Sequence, residues 1–432
     1  MLDIKYVAEH VEEVTRNCAD RLMPSDVATI VAQYRERNVA ITEMEEARRE
    51  SNENARSMKG PMDSETRQQK IAHGRALKQT IAELSQKVDA IETELERALA
   101  SLPNLTHPDA PKGETEEDNS ELLCWGETSK PDFEPRDHVE LGKALDLIDF
   151  EGGAKVAGQK FYFLRNEAVL LDLALQRFAI DKLIEHGFTP TITPDLARPE
   201  ILEGIGFNPR GEESQVYSIE DHDLCLIGTA EITIGGLLRD RIVNAEELPI
   251  KIAGISHCFR TEAGAAGRES RGLYRVHQFT KVEMFIFCAS GNDEQGRAIS
   301  QGHHDELLSI ERELLEELEI PYRVVDVCTG DLGAPAYRKY DIEAWMPGRG
   351  GYGEVTSASN CTDYQSRRLK IRNRPEGGGK PRLIHTLNGT AIAISRTLIA
   401  LLENHQQADG SIRIPAALRP YLPFEQIAAK QG

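Results

Sequence analysis

Residues 77–98 read Leu77-Lys-Gln-Thr-Ile81-Ala-Glu-Leu84-Ser-Gln-Lys-Val88-Asp-Ala-Ile91-Glu-Thr-Glu-Leu95-Glu-Arg-Ala98, and their apolar positions alternate steps of four and three without a break. That spacing lays one apolar seam along the side of a helix. Upstream, Val27 to about Ser57 is polar and rich in Glu and Arg, with apolar residues at Val27, Ile30, Tyr34, Ile41 and Met44. Between the two, Met58-Lys-Gly-Pro-Met62 is a turn through which neither helix can continue. Two helices of about 30 residues on either side of it fold back as an antiparallel coiled-coil hairpin, reaching on the order of 50 Å at 1.5 Å per residue.

Each seam is satisfied by its partner helix within the chain, so the hairpin reads as an arm and not as a dimerisation coil. Its distal half is basic. From Glu46 to Lys78 eight cations (Arg48, Arg49, Arg56, Lys59, Arg67, Lys70, Arg75 and Lys78) stand against five acids, a net +3 within a chain of 432 residues that carries −20 overall. A positive tip on an acidic protein suits a polyanion such as RNA, although a merely solvated helix face has the same composition.

The whole chain sets bounds. Acidic residues number 71 against 51 Lys and Arg, which argues against a protein that coats duplex DNA. With 40% hydrophobic and 28% charged residues the composition is that of a soluble globular protein. There is no apolar run long enough to span a bilayer and no signal-peptide layout at Met1–His10, so a cytoplasmic location and no membrane partner are expected. The seven cysteines are scattered with no Cys-x-x-Cys, which predicts reduced, mostly buried thiols and no zinc. His303-His304 falls in a charged helical stretch and is expected on a solvated face.

Three regions follow. Residues 1–103 form a helical domain carrying the arm. Residues 104–135, with Pro108, Pro111, Pro131, Pro135 and acids at 114–118, read as a linker. Residues 136–432 alternate helical and strand patterns, giving an α+β fold whose body is built on an antiparallel sheet. Helices are predicted over Phe163–His186, stopped by Gly187, over Asp293–Leu318 and over Ala391–Glu403. Strands are predicted at Ile250–Arg260, Leu273–Cys288, Tyr322–Thr329, Ala336–Trp345 and Arg382–Leu387.

Neither the Gly-x-x-x-x-Gly-Lys-Ser/Thr loop nor a strand–Gly-x-Gly-x-x-Gly–helix unit is present, so any ATP binds on another scaffold. The strand pair around Thr261–Gly272 offers one. Phe259-Arg260-Thr261-Glu262 ends its first strand, and Arg268, Arg271 and Arg275 follow. A strand-anchored arginine can hold a phosphate by two parallel hydrogen bonds, and Glu262 could accept from an adenine amino group. Glu354-Val355-Thr356-Ser357 follows the glycine-rich Gly348–Gly353; a carboxylate and a hydroxyl three residues apart suit Mg²⁺ shared with phosphates. Leu387-Asn-Gly-Thr390 is read as opening the closing helix, whose N-terminus and Arg396 would favour an anion.

These segments resemble, over the full length, the seryl-tRNA synthetases of the bacterial type, which are class II aminoacyl-tRNA synthetases. Phe188-Thr-Pro-Thr-Ile-Thr-Pro194 resembles class II motif 1, the dimer-interface element. Phe259–Glu283 resembles motif 2 and Leu387–Arg396 motif 3. More specific to the seryl family are Thr229-Ala230-Glu231, Asp341-Ile-Glu-Ala-Trp-Met-Pro347, Glu354–Ser357 and Asn404–Gly410. The resemblance implies ligation of L-serine to tRNA(Ser) through a seryl-adenylate, with ATP as co-substrate, tRNA(Sec) as a further acceptor, and a homodimer. It implies Arg260, Thr261, Glu262, Val276, Glu354, Val355, Thr356, Ser357 and Arg396 at ATP, with Arg260 and Arg396 catalytic. It also implies Glu354 and Ser357 on Mg²⁺, and Thr229, Ala230, Glu231, Glu283 and Thr390 at serine. The arm cations would meet tRNA.

The chain departs from the family's usual pattern at Thr356 and Thr390, where Ser is more common, and at Ala358 and Ser395, often Cys and Gly. None removes a group to which the resemblance gives a role, though Thr390 bears on fine discrimination. Two rivals stand beside this reading: a paralogue passing serine to a non-tRNA acceptor, which could drop the arm, and a non-catalytic RNA-binding relative, which could lose Arg260, Glu354 or Arg396.

Overall fold

In the computed structural model, which describes residues 1–128, 132–207, 215–263, 271–290 and 294–430, the seam becomes two helices, α1 (Val27–Ser57) and α2 (Ser64–Ser101). Both begin on an aspartate. Asp26 accepts from the Thr29 amide at 3.0 Å and Asp63 from the Thr66 amide at 2.8 Å, each satisfying a donor that the first helical turn leaves open. Along α2 the seam residues Leu77, Val88 and Leu95 are buried, whereas Ile81, Leu84, Ile91 and Ala98 are half-buried. A single partner helix covers a seam from one side, hence the mixture. Ala40, Met44 and Ala47 face it from α1, and Lys87 bridges to Glu36 at 2.8 Å across the pair. Of the eight distal cations all but Lys70 are exposed; Lys70 donates to the Ser57 hydroxyl at 2.7 Å. This first unit ends at Leu105.

The second unit, Thr106–Gly432, is described by itself. It contains β1 (Ser120–Trp125), α3 (Glu167–Glu185), β2 (Thr189–Ile192), α4 (Ala230–Leu237), β3 (Ile250–Phe259), β4 (Gln278–Ala289) and α5 (Glu294–Glu317). It continues with β5 (Tyr322–Asp326), β6 (Arg338–Met346), β7 (Gly351–Thr362), α6 (Tyr364–Leu369), β8 (Arg382–Ala393) and α7 (Ile394–His405). Among the described residues ten strands join in one sheet, with main order β1-β5-β6-β7-β8-β4-β3-β2. Every neighbouring pair on that path is antiparallel except β2 with β3.

Both faces of the sheet are covered. On β4, Val282, Met284 and Ile286 point into a core with α3, α5 and α7, while Phe285 and Phe287 point to a second core with α4 and α6. Strand alternation therefore places Glu283 on the α4 side, fully buried.

Three expectations are corrected. The stretch expected as a linker supplies β1, whose apolar Leu123 and Trp125 pack on the core edge, so much of 106–135 belongs to the body. Leu387–Thr390 does not open a helix: Thr390 pairs with Glu283 and Ile392 with Val282 on the ladder to β4, and α7 starts only at Ile394. Ladder bonds and burial of Ala391 and Ile392 outweigh local helix preference there. His304 is fully buried, donating from Nε2 to the Ala358 carbonyl at 2.9 Å and stacking on Tyr340; His303 is half-buried. Val169, Leu170 and Leu173 on α3 face outward, and Ile192 on edge strand β2 is 83% exposed.

Burial holds the imidazoles of His304, His385 and His405 neutral, each pushed down to about 4. All seven cysteines are thiols, and all but Cys124 are buried. Among the described residues no helix is long and apolar enough to cross a membrane.

Candidate active site

The strand ends β3 and β4 bring the first group of residues together. Arg260 follows β3, and its amide and carbonyl are tied to His277: the Arg260 N–H donates to the His277 carbonyl at 3.0 Å, and His277 Nδ1 donates back at 2.8 Å. The Arg260 guanidinium reaches the Gly228 carbonyl at 3.4 Å and lies over the Phe279 ring at 5.3 Å. No carboxylate among the described residues pairs with it, so its charge is directed at the cavity. Glu262 is in the left-handed region (φ 54°) and accepts from Arg275 at 2.9 Å. Val276 is buried beside them. Arg268 lies outside the described residues.

Strand β7 and helix α7 close the other wall. Arg396 donates to the Glu354 carbonyl at 3.0 Å, pairs with its carboxylate at 3.2 Å, and stacks on Tyr274 at 4.8 Å. Burial alone would push the Glu354 carboxyl up; Arg396 and Lys339 outweigh it and hold the group well below the usual carboxylate range. The cavity, about 490 Å³ with its open mouth, is lined by Arg260, Glu262, Val276, Glu354, Val355, Thr356, Ser357, Thr390 and Arg396. Thr261 is not part of that lining; its amide donates to the Gln215 carbonyl. The Thr356 hydroxyl turns away to α5, bonding Glu311, so this residue meets the cavity without its polar atom.

A buried polar cluster adjoins the cavity: Lys281 and Thr390 line it, whereas Thr229, Ala230, Glu231 and Glu283 are not among the lining residues. Thr390 donates to Glu283 at 3.3 Å, and Lys281 pairs with the same carboxylate at 2.5 Å. Thr229 caps α4, accepting from the Glu231 amide at 3.2 Å, and Ala230 is buried at the helix start. Glu231 accepts from Gln365 at 2.7 Å and from Asn388 at 3.0 Å. Burial, with Glu283 near, pushes its carboxyl up to about 7. Two carboxylates with a hydroxyl and an amide between them can hold an ammonium and a small hydroxyl together.

Comparison with known proteins shows the family. Residues 1–106 match the seryl-tRNA synthetase N-terminal domain and residues 215–405 the tRNA synthetase class II core domain (G, H, P, S and T). The serine--tRNA ligase of Rubrobacter xylanophilus is 56% identical over 427 residues, 99% of each chain. The chain belongs to the seryl-tRNA synthetase family.

The serine--tRNA ligase of Treponema denticola is 54% identical, over 99% of this chain and all of that one. Among solved structures, the seryl-tRNA synthetase of Pyrococcus horikoshii, complexed with ATP, superposes with a TM-score of 0.92 at 41% identity and full coverage of both chains. The cytoplasmic serine-tRNA ligase of Naegleria fowleri, in complex with AMP, gives 0.87 at 29%, covering 100% of this chain and 99% of that one. As a seryl-tRNA synthetase the chain has polar neighbours that the sequence reading passed over. Lys281 and Glu283 are two apart on a strand and so share a face, a signal that was available. Asn388 sits inside the quoted Leu387–Thr390. Gln365, on α6, carries no sequence signal; only the fold brings it to Glu231.

Proposed function

We propose that the cavity joins L-serine to ATP and then to tRNA, with the residues in the roles their surroundings support. The class II fold and the relatives make the chain a serine--tRNA ligase; the single observation that carries the assignment of roles is that Arg260, with no ion pair among the described residues, lines one cavity with Thr390, whose hydroxyl bonds the buried Glu283. Serine's ammonium is held by Glu231, and its hydroxyl by Glu283 and Thr390. A site built to bond a hydroxyl rejects alanine, which leaves those buried groups unpaired. The serine carboxylate attacks the α-phosphorus of ATP in line. Arg260 takes the charge growing on the α-phosphoryl oxygens, and Arg396 that of the departing pyrophosphate. The 3′-terminal ribose of tRNA then attacks the mixed anhydride. Positioning and fixed charge suffice, and no side chain is a covalent nucleophile.

Glu354 and Ser357 both line the cavity with hard oxygen donors, a set that fits Mg²⁺ when phosphates complete the shell. Among the described residues no cluster of three or more His, Cys, Asp or Glu forms a protein-only cage. When bound, the ion supplies positive charge to the phosphates. The exposed arm cations support tRNA(Ser), with tRNA(Sec) as a second acceptor, and the reading places the chain in the cytoplasm.

The outward apolar residues of α3 and β2 support a homodimer, since Leu173 at 58% and Ile192 at 83% exposure are costly to leave wet. Sedimentation should give a dimer, split by Leu173→Glu with Ile192→Glu; a wild-type monomer would refute it. The function itself is tested by charging total bacterial tRNA with labelled serine at saturating ATP and Mg²⁺. Serine on tRNA is expected. Adenylate without charged tRNA would favour another acceptor.

A further inference from the structure

Helix α5 turns three polar side chains toward the sheet, and they meet alternate residues of β7 in order. Ser300 accepts from Asn360 at 3.2 Å, His304 donates to the Ala358 carbonyl at 2.9 Å, and Glu311 accepts from the Thr356 hydroxyl at 3.0 Å. β7 receives this bracing where it loses a neighbour. Its ladder to β8 stops at Ala358 opposite Gly389, while its ladder to β6 runs on to Gly351. From Ser357 back to Glu354 the strand has a partner on one side and the cavity on the other.

Glu311 lies behind that stretch, fully buried. Its second oxygen, Oε1, has no hydrogen-bond partner among the described residues and stands 2.9 Å from where a Cβ on Gly389 would be. One carboxyl group therefore touches both the strand carrying Glu354–Ser357 and the residue before Thr390.

We propose that Glu311 is a positioning residue for serine activation, setting from behind the sheet the separation between the Glu354–Ser357 segment and Thr390. This rests on the adenylate-forming reading above. Burial, with Glu283 and Asp341 near, pushes the Glu311 carboxyl well above its usual range. Its bond from the Thr356 hydroxyl needs an acceptor oxygen at that place and not a charge. Glutamine, neutral and of the same shape, keeps that contact.

Such a group controls alignment and not affinity: each substrate keeps its own contacts, but the attacking oxygen and phosphorus are displaced. The test is serine-dependent ATP–pyrophosphate exchange by the full chain. Thr356→Val removes the bond without emptying space, and is expected to lower kcat ~10-fold with KM for serine and for ATP within about threefold. Glu311→Ala should lower kcat ~100-fold, the double variant no further, and Glu311→Gln should stay within about threefold of wild type. Amide hydrogen exchange without substrates should quicken at 354–357 in Thr356→Val and Glu311→Ala but not in Glu311→Gln.

Wild-type kcat in Thr356→Val, glutamine as slow as alanine, or a raised KM at unchanged kcat each overturns the proposal. If wild type shows no serine-dependent exchange, the activation reading fails separately. The amide pattern then decides: quickened exchange at 354–357 supports positioning, and unchanged protection overturns it.

Discussion

Arg260→Ala is expected to abolish serine-dependent ATP–pyrophosphate exchange, lowering kcat/KM by about 10³-fold or more, roughly 4 kcal/mol of transition-state stabilisation. The guanidinium is held by the Gly228 carbonyl and the Phe279 ring, lines the cavity, and makes no direct ion pair among the described residues. Its charge, unpaired at contact distance, is placed to meet the α-phosphoryl group, where charge grows during reaction. The bonds to Gly228 are long, 3.4 Å, so their loss costs little stability and the variant should keep its melting temperature. Arg260→Lys retains the charge but not the two-pronged geometry, and should recover only a small part of the rate. A folded alanine variant with near-normal exchange would remove Arg260 from the chemistry.

Excising residues 46–78 and rejoining the helices with a short turn should leave adenylate formation near normal while lowering kcat/KM for tRNA charging by about 10³-fold or more. The excision takes all eight distal cations and leaves the buried base of the unit, where Val7, Val14, Leu99 and Leu102 pack, intact. Charging by the intact chain should also weaken steeply as salt rises, because displaced counterions drive phosphate contacts, and the excised variant should lose most of that dependence. Unimpaired charging after excision would mean that the cations only solvate the arm.

What the sequence revealed follows from how local each signal is. The arm was legible because a four-three repeat between Leu77 and Ala98 and a Gly-Pro turn are properties of short stretches. Arg260, Glu354 and Arg396 were legible through ordered motifs. The start of α7 was placed at Ala391, three residues early, because Leu387–Ala393 belongs to a strand whose partner, β4, lies a hundred residues away. β1 was missed for a similar reason: Ser120–Trp125 becomes a strand by pairing with Tyr322–Asp326. His304 looked solvated beside charged neighbours because helical sequence alone does not say which face meets a sheet. Glu311 was hidden in the same way, one acid among several on an amphipathic helix.

The buried histidines make the fold a proton counter. His304, His385 and His405 stay neutral in the native chain down to about pH 4, whereas in the unfolded chain each takes up a proton near 6.5. A group whose native affinity for protons is lowered contributes no penalty above its unfolded value, and costs stability as pH falls below it. Between about pH 6.5 and 4 the unfolded state therefore holds up to three extra protons from this source, a slope approaching 4 kcal/mol per pH unit at its steepest. Unfolding midpoints in urea should drop sharply over that window. The Nδ1 of His385 has no hydrogen-bond partner among the described residues, and His385→Asn should flatten the slope by about a third; an unchanged slope would place the acid sensitivity elsewhere.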